Sequence, residues 1–124
     1  MKKAYISSEE SGAPLSGAVE TGGLIFVSGQ IHADKDWNVI GDTIDEKFKI
    51  TINNIKGILA EARLDLDDIV KLNISLTSLD DLPGLNKIYG QYFNHPFPAR
   101  AAVEVKALPL GATLEIEAIA VAKD

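Results

Sequence analysis

"PARAAVEVKALPLGATLEIEAIA", Pro98 to Ala120, is the stretch on which the architecture of this protein turns. It reads as two strands, Ala99 to Lys106 and Thr113 to Val121, joined through "ALPLGA", and so short a connection predicts antiparallel neighbours. In the first strand Ala99, Ala101, Val103 and Val105 face one way, and Arg100, Ala102, Glu104 and Lys106 the other. Arg100 then has three readings: a solvated edge residue, an ion-pair partner for Glu115 or Glu117, or the fixed cation of an anion site. The last reading uses the planar guanidinium fork, which clamps a carboxylate in a way lysine cannot. Glu115 and Glu117 share a face of the final strand with Ile119 and Val121. Such a pair can hold a water as a general base, or can simply be solvated near a strand end.

Working upstream, "SLDD" precedes a helical face of Leu82, Leu85, Tyr89, Tyr92 and Phe93, with Asp80 or Asp81 as cap and Pro83 in the first turn. "HPFP" ends it. In "IVKLNISLT", Val70, Leu72, Ile74 and Leu76 alternate with Lys71, Asn73, Ser75 and Thr77, the period of a half-buried strand. Before that, Ile44, Phe48, Ile52, Ile55, Leu59 and Ala62 fall at spacings of three and four, which predicts one apolar helical face. Thr43 and Glu46 have the spacing of a capping box at its start. "GGLIFVSGQI", Gly22 to Ile31, is a continuous apolar run bounded by glycines, which predicts a central strand covered on both faces. The first twenty residues add room for a further strand pair.

The order strand, helix, strand, helix, strand, strand predicts an α+β or α/β domain with two helices on a mixed sheet. No linker, repeat or low-complexity tract divides the chain, so it reads as one domain, a single unit from about Tyr5 to Ala122. Two helices leave one sheet face uncovered, and burial of that face against another subunit is the natural expectation.

Composition narrows the function. With 124 residues and 46% hydrophobic content the chain can build a real core. It has no apolar stretch of membrane-spanning length, and "MKKAYISSEE" has no hydrophobic region of the secretory type, which predicts a cytoplasmic protein without a membrane partner. The absence of cysteine excludes disulfides, thiolate nucleophiles and cysteine-based zinc sites. A net charge of −6 with no basic cluster disfavours nucleic acid as a partner, whereas a single well-placed guanidinium still suits a small anionic metabolite.

Other chemical candidates are few. Ser28, Gly29 and Gln30 close the central strand, where glycine permits a bulge or close approach to a ligand and the serine hydroxyl can donate to one; turn chemistry explains the segment equally well. His32 and His95 stand alone, without metal-ligand spacing. "GAPLSGAVETGG" lacks the context of a phosphate loop and reads as a turn leading into the sheet, and Trp37 reads as a packing residue on a loop. No nucleophile elbow, Walker loop or dinucleotide motif is present.

Taken together, "GGLIFVSGQI", "NNIKGILAEA", "DIVKLNISLTSLDDL", "NKIYGQYF" and "PFPARAAVEVKALPLGATLEIEAIA" resemble, in this order, the RidA/YjgF family of reactive-intermediate deaminases. Its members have also been labelled L-PSP endoribonucleases and translation initiation inhibitors. The resemblance implies a chorismate-mutase-like α+β fold, with both helices on one face of the sheet. It implies a homotrimer with ligand sites in clefts between subunits, and hydrolysis of 2-imino acids, such as 2-iminobutanoate and 2-iminopropanoate, to 2-oxo acids and ammonia without a cofactor or metal. By position, Arg100 matches the family's substrate-carboxylate arginine and Glu115 the glutamate associated with the hydrolytic water. Ser28 and Gly29 match the segment beside the substrate. Two positions depart from the pattern: Leu15 stands where the family has an active-site tyrosine, and Ala102 where it often has cysteine. A trimeric 2-oxo acid binding or regulatory protein that has lost turnover is the first alternative, and an RNA-cleaving enzyme the second.

Overall fold

The computed structural model describes residues 2–5 and 13–123, and its centre is a six-stranded mixed sheet. The strands are β1 (Lys3–Tyr5), β2 (Ala18–Thr21), β3 (Leu24–Ile31), β4 (Ile69–Leu76), β5 (Ala99–Glu104) and β6 (Leu114–Val121), with helices α1 (Ile44–Glu61) and α2 (Leu82–Tyr89). Their order across the sheet is β1-β2-β3-β6-β4-β5. The early strand pair is β1 against β2, with Lys3 opposite Glu20; the part of that expectation falling on residues 6–12 lies outside the described residues.

The α1 signals carry directly into structure. The Glu46 N–H donates to Thr43 Oγ1 at 3.2 Å, and the Thr43 N–H donates to Glu46 Oε1 at 3.1 Å, so the box satisfies two amides of the first turn. Phe48, Ile52, Ile55 and Leu59 are fully buried, joined by Thr51 and Ile58, against Ile25, Leu72, Ile74, Leu76, Leu114 and Ile116 of the sheet. Burial on this scale contributes about 1.5–3 kcal/mol per large side chain. Asp81 is the N-cap of α2 and Pro83 lies in its first turn, as expected, but the Asp81 side chain makes no capping hydrogen bond; the side-chain cap comes earlier, where Ser78 Oγ accepts from the Asp80 N–H at 3.2 Å and opens a 3-10 turn, Leu79–Asp81. At its other end α2 is shorter than the apolar pattern predicts. It stops at Tyr89, and the chain turns through Gly90, which carries Tyr92 and Phe93 onto the core from beyond the helix. Gly84 lets the helices approach closely, since a Cβ there would stand 2.8 Å from Ile44 Cγ2.

The last two strands are not neighbours. β6 lies between β3 and β4, antiparallel to both, while β5 pairs only with β4, in parallel and at the edge. Burial explains the insertion: Leu114, Ile116, Ala118 and Ala120 are all buried, whereas β5 offers the core only Ala102. The connection crosses the end of β4, where Val105 N–H donates to Leu76 O at 2.8 Å and Thr77 N–H to Thr113 O at 3.1 Å. Both strand-helix-strand units still run parallel, one with β6 slotted into it. β3 is interior to the sheet but covered on one face only. Ile25 and Val27 face the helices, and Phe26 is 41% exposed on the opposite, open face, opposite Ile119 of β6.

Candidate active site

A bulge in β3 builds the first half of the site. Val27 pairs with Ala118 and Gln30 with Ile116, so three steps on β3 match two on β6. The extra residue bends the strand at Ser28 and Gly29, a device that re-aims side chains beside functional sites. Glu115 lies against this bend: a Cβ added to Gly29 would overlap the Glu115 carboxylate, so glycine there leaves that carboxylate the position it occupies. The half-buried Glu115 side chain makes no hydrogen bond among the described residues, and burial, then the nearby Glu117 charge, raises its pKa above the usual carboxylate range. Glu117, exposed on the same face, accepts from Asn73 Nδ2 at 2.8 Å. Of the pair, Glu115 is the half-buried carboxylate and Glu117 the exposed one.

Ser28 is engaged differently from expectation. Its hydroxyl donates to Ser16 O at 2.6 Å and its N–H to Gly17 O at 2.9 Å, which ties the segment carrying Leu15 to the bulge. The donor is spent within the chain, and the oxygen lone pairs remain free to accept. Leu15 itself is 48% exposed.

Arg100 occupies the other face. It stands opposite Leu72, a core residue beneath the helices, while Glu115 stands opposite Ser75 on the open side. With β4 between β5 and β6, the two strands run roughly 10 Å apart by ideal strand spacing, and Arg100 points to the face away from Glu115 and Glu117, so neither pairs with the arginine. The Arg100 side chain forms no ion pair among the described residues. Its guanidinium lies 4.8 Å from the ring centroid of Tyr89, beside a cavity of about 260 Å³ lined by Tyr89, Phe97, Pro98 and Arg100. Sequence reasoning assigned Tyr89 to the core and overlooked this contact; the aromatic run "YGQYFNHPFPAR" leading into the arginine was the available signal.

His32 is structural. It is buried, with Nδ1 donating to Ile40 O at 2.8 Å and Nε2 accepting from the Thr113 N–H at 3.0 Å. His95 packs on Phe97 at 4.2 Å between ring centroids. Among the described residues no group of three or more His, Asp or Glu side chains is arranged to hold a metal ion, and no helix is long and apolar enough to cross a membrane.

A mixed sheet with both helices on one face, an open opposite face and a bulge beside a free carboxylate defines an α+β domain of the chorismate-mutase-like type. The chain belongs to the Endoribonuclease L-PSP family, the YjgF/RidA group, whose profile matches residues 6–122. It is 41% identical over 124 residues to a RutC family protein of Pyrococcus abyssi, covering 97% of this chain and 98% of that one. It is 34% identical over 126 residues, covering 98% of each, to TdcF of Escherichia coli, named as a candidate reactive intermediate deaminase. The crystal structure of TdcF with bound serine matches with a TM-score of 0.85 and 33% identity, covering 98% of this chain and 99% of that one. A protein of Thermotoga maritima described as a candidate endoribonuclease matches with a TM-score of 0.91 and 37% identity, over all of both chains.

Proposed function

We propose that this protein hydrolyses 2-imino acids to 2-oxo acids and ammonia, acting as a single domain, residues 1–124, in a cytoplasmic homotrimer with its sites between subunits. The observation that carries this reading is an unneutralised arginine at an apolar cavity, together with a half-buried carboxylate of raised proton affinity. Arg100 binds the substrate carboxylate through its paired N–H donors and so orients the imine carbon. A water at Glu115 attacks that carbon as the carboxylate takes its proton, giving a carbinolamine. The protonated carboxyl passes that proton to nitrogen; the carboxylate then takes the carbinolamine hydroxyl proton and delivers it to the same nitrogen as the C=O bond forms and the C–N bond breaks, so ammonia leaves with a 2-oxo acid behind it. The raised pKa serves both steps, since a carboxylate of ordinary acidity would accept a proton less readily.

Arg100 and Glu115 lie on opposite faces of one sheet, so a small ligand can touch both only where one copy meets another. The open face supports that assembly, with Phe26, Val103 and Val121 each more than 40% exposed. Ser28 and Gly29 shape the Glu115 half, and Ala102 leaves room beside Arg100 without contributing a thiol. The name and bound serine of TdcF agree with an amino acid-derived substrate.

The test generates 2-iminobutanoate or 2-iminopropanoate in situ and follows its decay with and without protein. Accelerated decay that disappears in Arg100→Ala is expected; equal decay, or full activity in that variant, overturns the reading. Leu15, where the family pattern has a tyrosine, favours one second reading: a 2-oxo acid binding protein without turnover. That protein would bind 2-oxobutanoate without accelerating imine decay, and would gain activity in Leu15→Tyr.

A further inference from the structure

We infer that Tyr89 is the positioning residue of Arg100, its ring face holding the guanidinium in place while leaving the charge and the N–H donors to the ligand. This rests on the reading of Arg100 as the carboxylate site. An arginine on an edge strand is a long, flexible cation, and the usual way to hold one is a carboxylate. A carboxylate would also neutralise it and occupy the donors that a substrate needs. Among the described residues Arg100 has no such partner, and its guanidinium lies over the Tyr89 ring at 4.8 Å instead. An aromatic face attracts a cation through its quadrupole without accepting a hydrogen bond from the donor edge.

Tyr89 is well placed for this. It is the last residue of α2 and is buried, stacked on Phe93 at 4.7 Å with ring planes 24° apart, and Phe48 flanks it at 6.1 Å. The plane on which Arg100 rests is therefore set by the hydrophobic core. The Tyr89 hydroxyl is buried without a hydrogen-bond partner in the described structure, so the ring is the part that acts.

The experiment compares kcat, KM and the 2-oxobutanoate Kd, by titration calorimetry, in Tyr89→Leu, Tyr89→Phe and Arg100→Ala. Tyr89→Leu is expected to raise KM and Kd roughly two- to fivefold with kcat little changed, because the ring holds a group that binds ground state and transition state alike. Tyr89→Phe restores both constants. Phenylalanine analogues bearing one to three ring fluorines at Tyr89 keep the shape while weakening the quadrupole, so Kd climbs stepwise along that series even where Tyr89→Leu fails to fold. Wild-type Kd throughout the fluorinated series overturns the inference. Should Arg100→Ala still abolish binding, the carboxylate reading survives that result; should Arg100→Ala bind as wild type, both fall.

Discussion

Gly29→Ala separates position from stability at this site. The backbone at Gly29 lies outside the left-handed region, so alanine meets no left-handed strain, and the three atoms nearest to its methyl group all belong to the Glu115 side chain. The carboxylate is the tip of a flexible side chain without a hydrogen bond to break, so Glu115 swings aside and the fold stays intact. Melting temperature should change by no more than about 2 °C, the effect of a few tenths of a kcal/mol in a domain of this size. Activity should respond very differently. The carboxylate must shift by about 1 Å or more, and a misplacement of that order costs roughly 100-fold in rate. The assay is in-situ imine decay, paired with thermal melts of Gly29→Ala, Glu115→Gln and the double variant. Because both substitutions remove the same carboxylate from the same place, the double variant should be no slower than the worse single one. Wild-type kcat/KM in Gly29→Ala, or fully additive losses in the double variant, would refute the role given to Glu115.

Further outcomes follow from the same contacts. The acid limb of the pH–kcat/KM profile should sit above the ordinary carboxylate range, because burial and then Glu117 raise the Glu115 pKa; Glu117→Gln should move it to lower pH, and a limb that stays put contradicts the assignment. A carboxyl with a raised folded pKa binds its proton more tightly folded than unfolded. Its contribution to stability is therefore complete below the unfolded pKa and is lost as pH rises through the folded one. Glu115→Gln removes that loss, so its melting temperature relative to wild type should rise from acid pH toward neutrality, and a flat difference would count against the burial effect. Thr43→Ala breaks the capping box and should cost about 1 kcal/mol in denaturant unfolding without altering KM; an unchanged midpoint would show that the cap is dispensable.

Local signals were legible in the sequence, and long-range pairing was not. The α1 face and its Thr43–Glu46 cap, and the alternation along β4, depend on neighbours within a few residues, so periodicity reports them. The place of β6 depends on competition between distant strands. Leu114, Ile116, Ala118 and Ala120 claim the centre of the sheet, while β5 has only Ala102 to bury, and the short link between them conceals that contest. The error propagates to Arg100. A hairpin of β5 and β6 would make an ion pair with Glu115 natural, whereas β4 between them puts the two charges on opposite faces. Resemblance named Arg100, Glu115, Ser28 and Gly29, but pattern could not show that the Ser28 hydroxyl is spent on Ser16 or that an aromatic ring, not a carboxylate, lies under the arginine.

The claim that the site joins Arg100 of one copy to Glu115 of another is tested most directly by subunit mixing. Arg100→Ala and Glu115→Gln proteins, each inactive alone, are unfolded together in equal amounts and refolded. In a trimer assembled at random, one interface in about four unites an intact arginine with an intact glutamate, so about a quarter of wild-type imine hydrolysis should return. No recovery above the separately refolded variants would contradict a site shared between subunits.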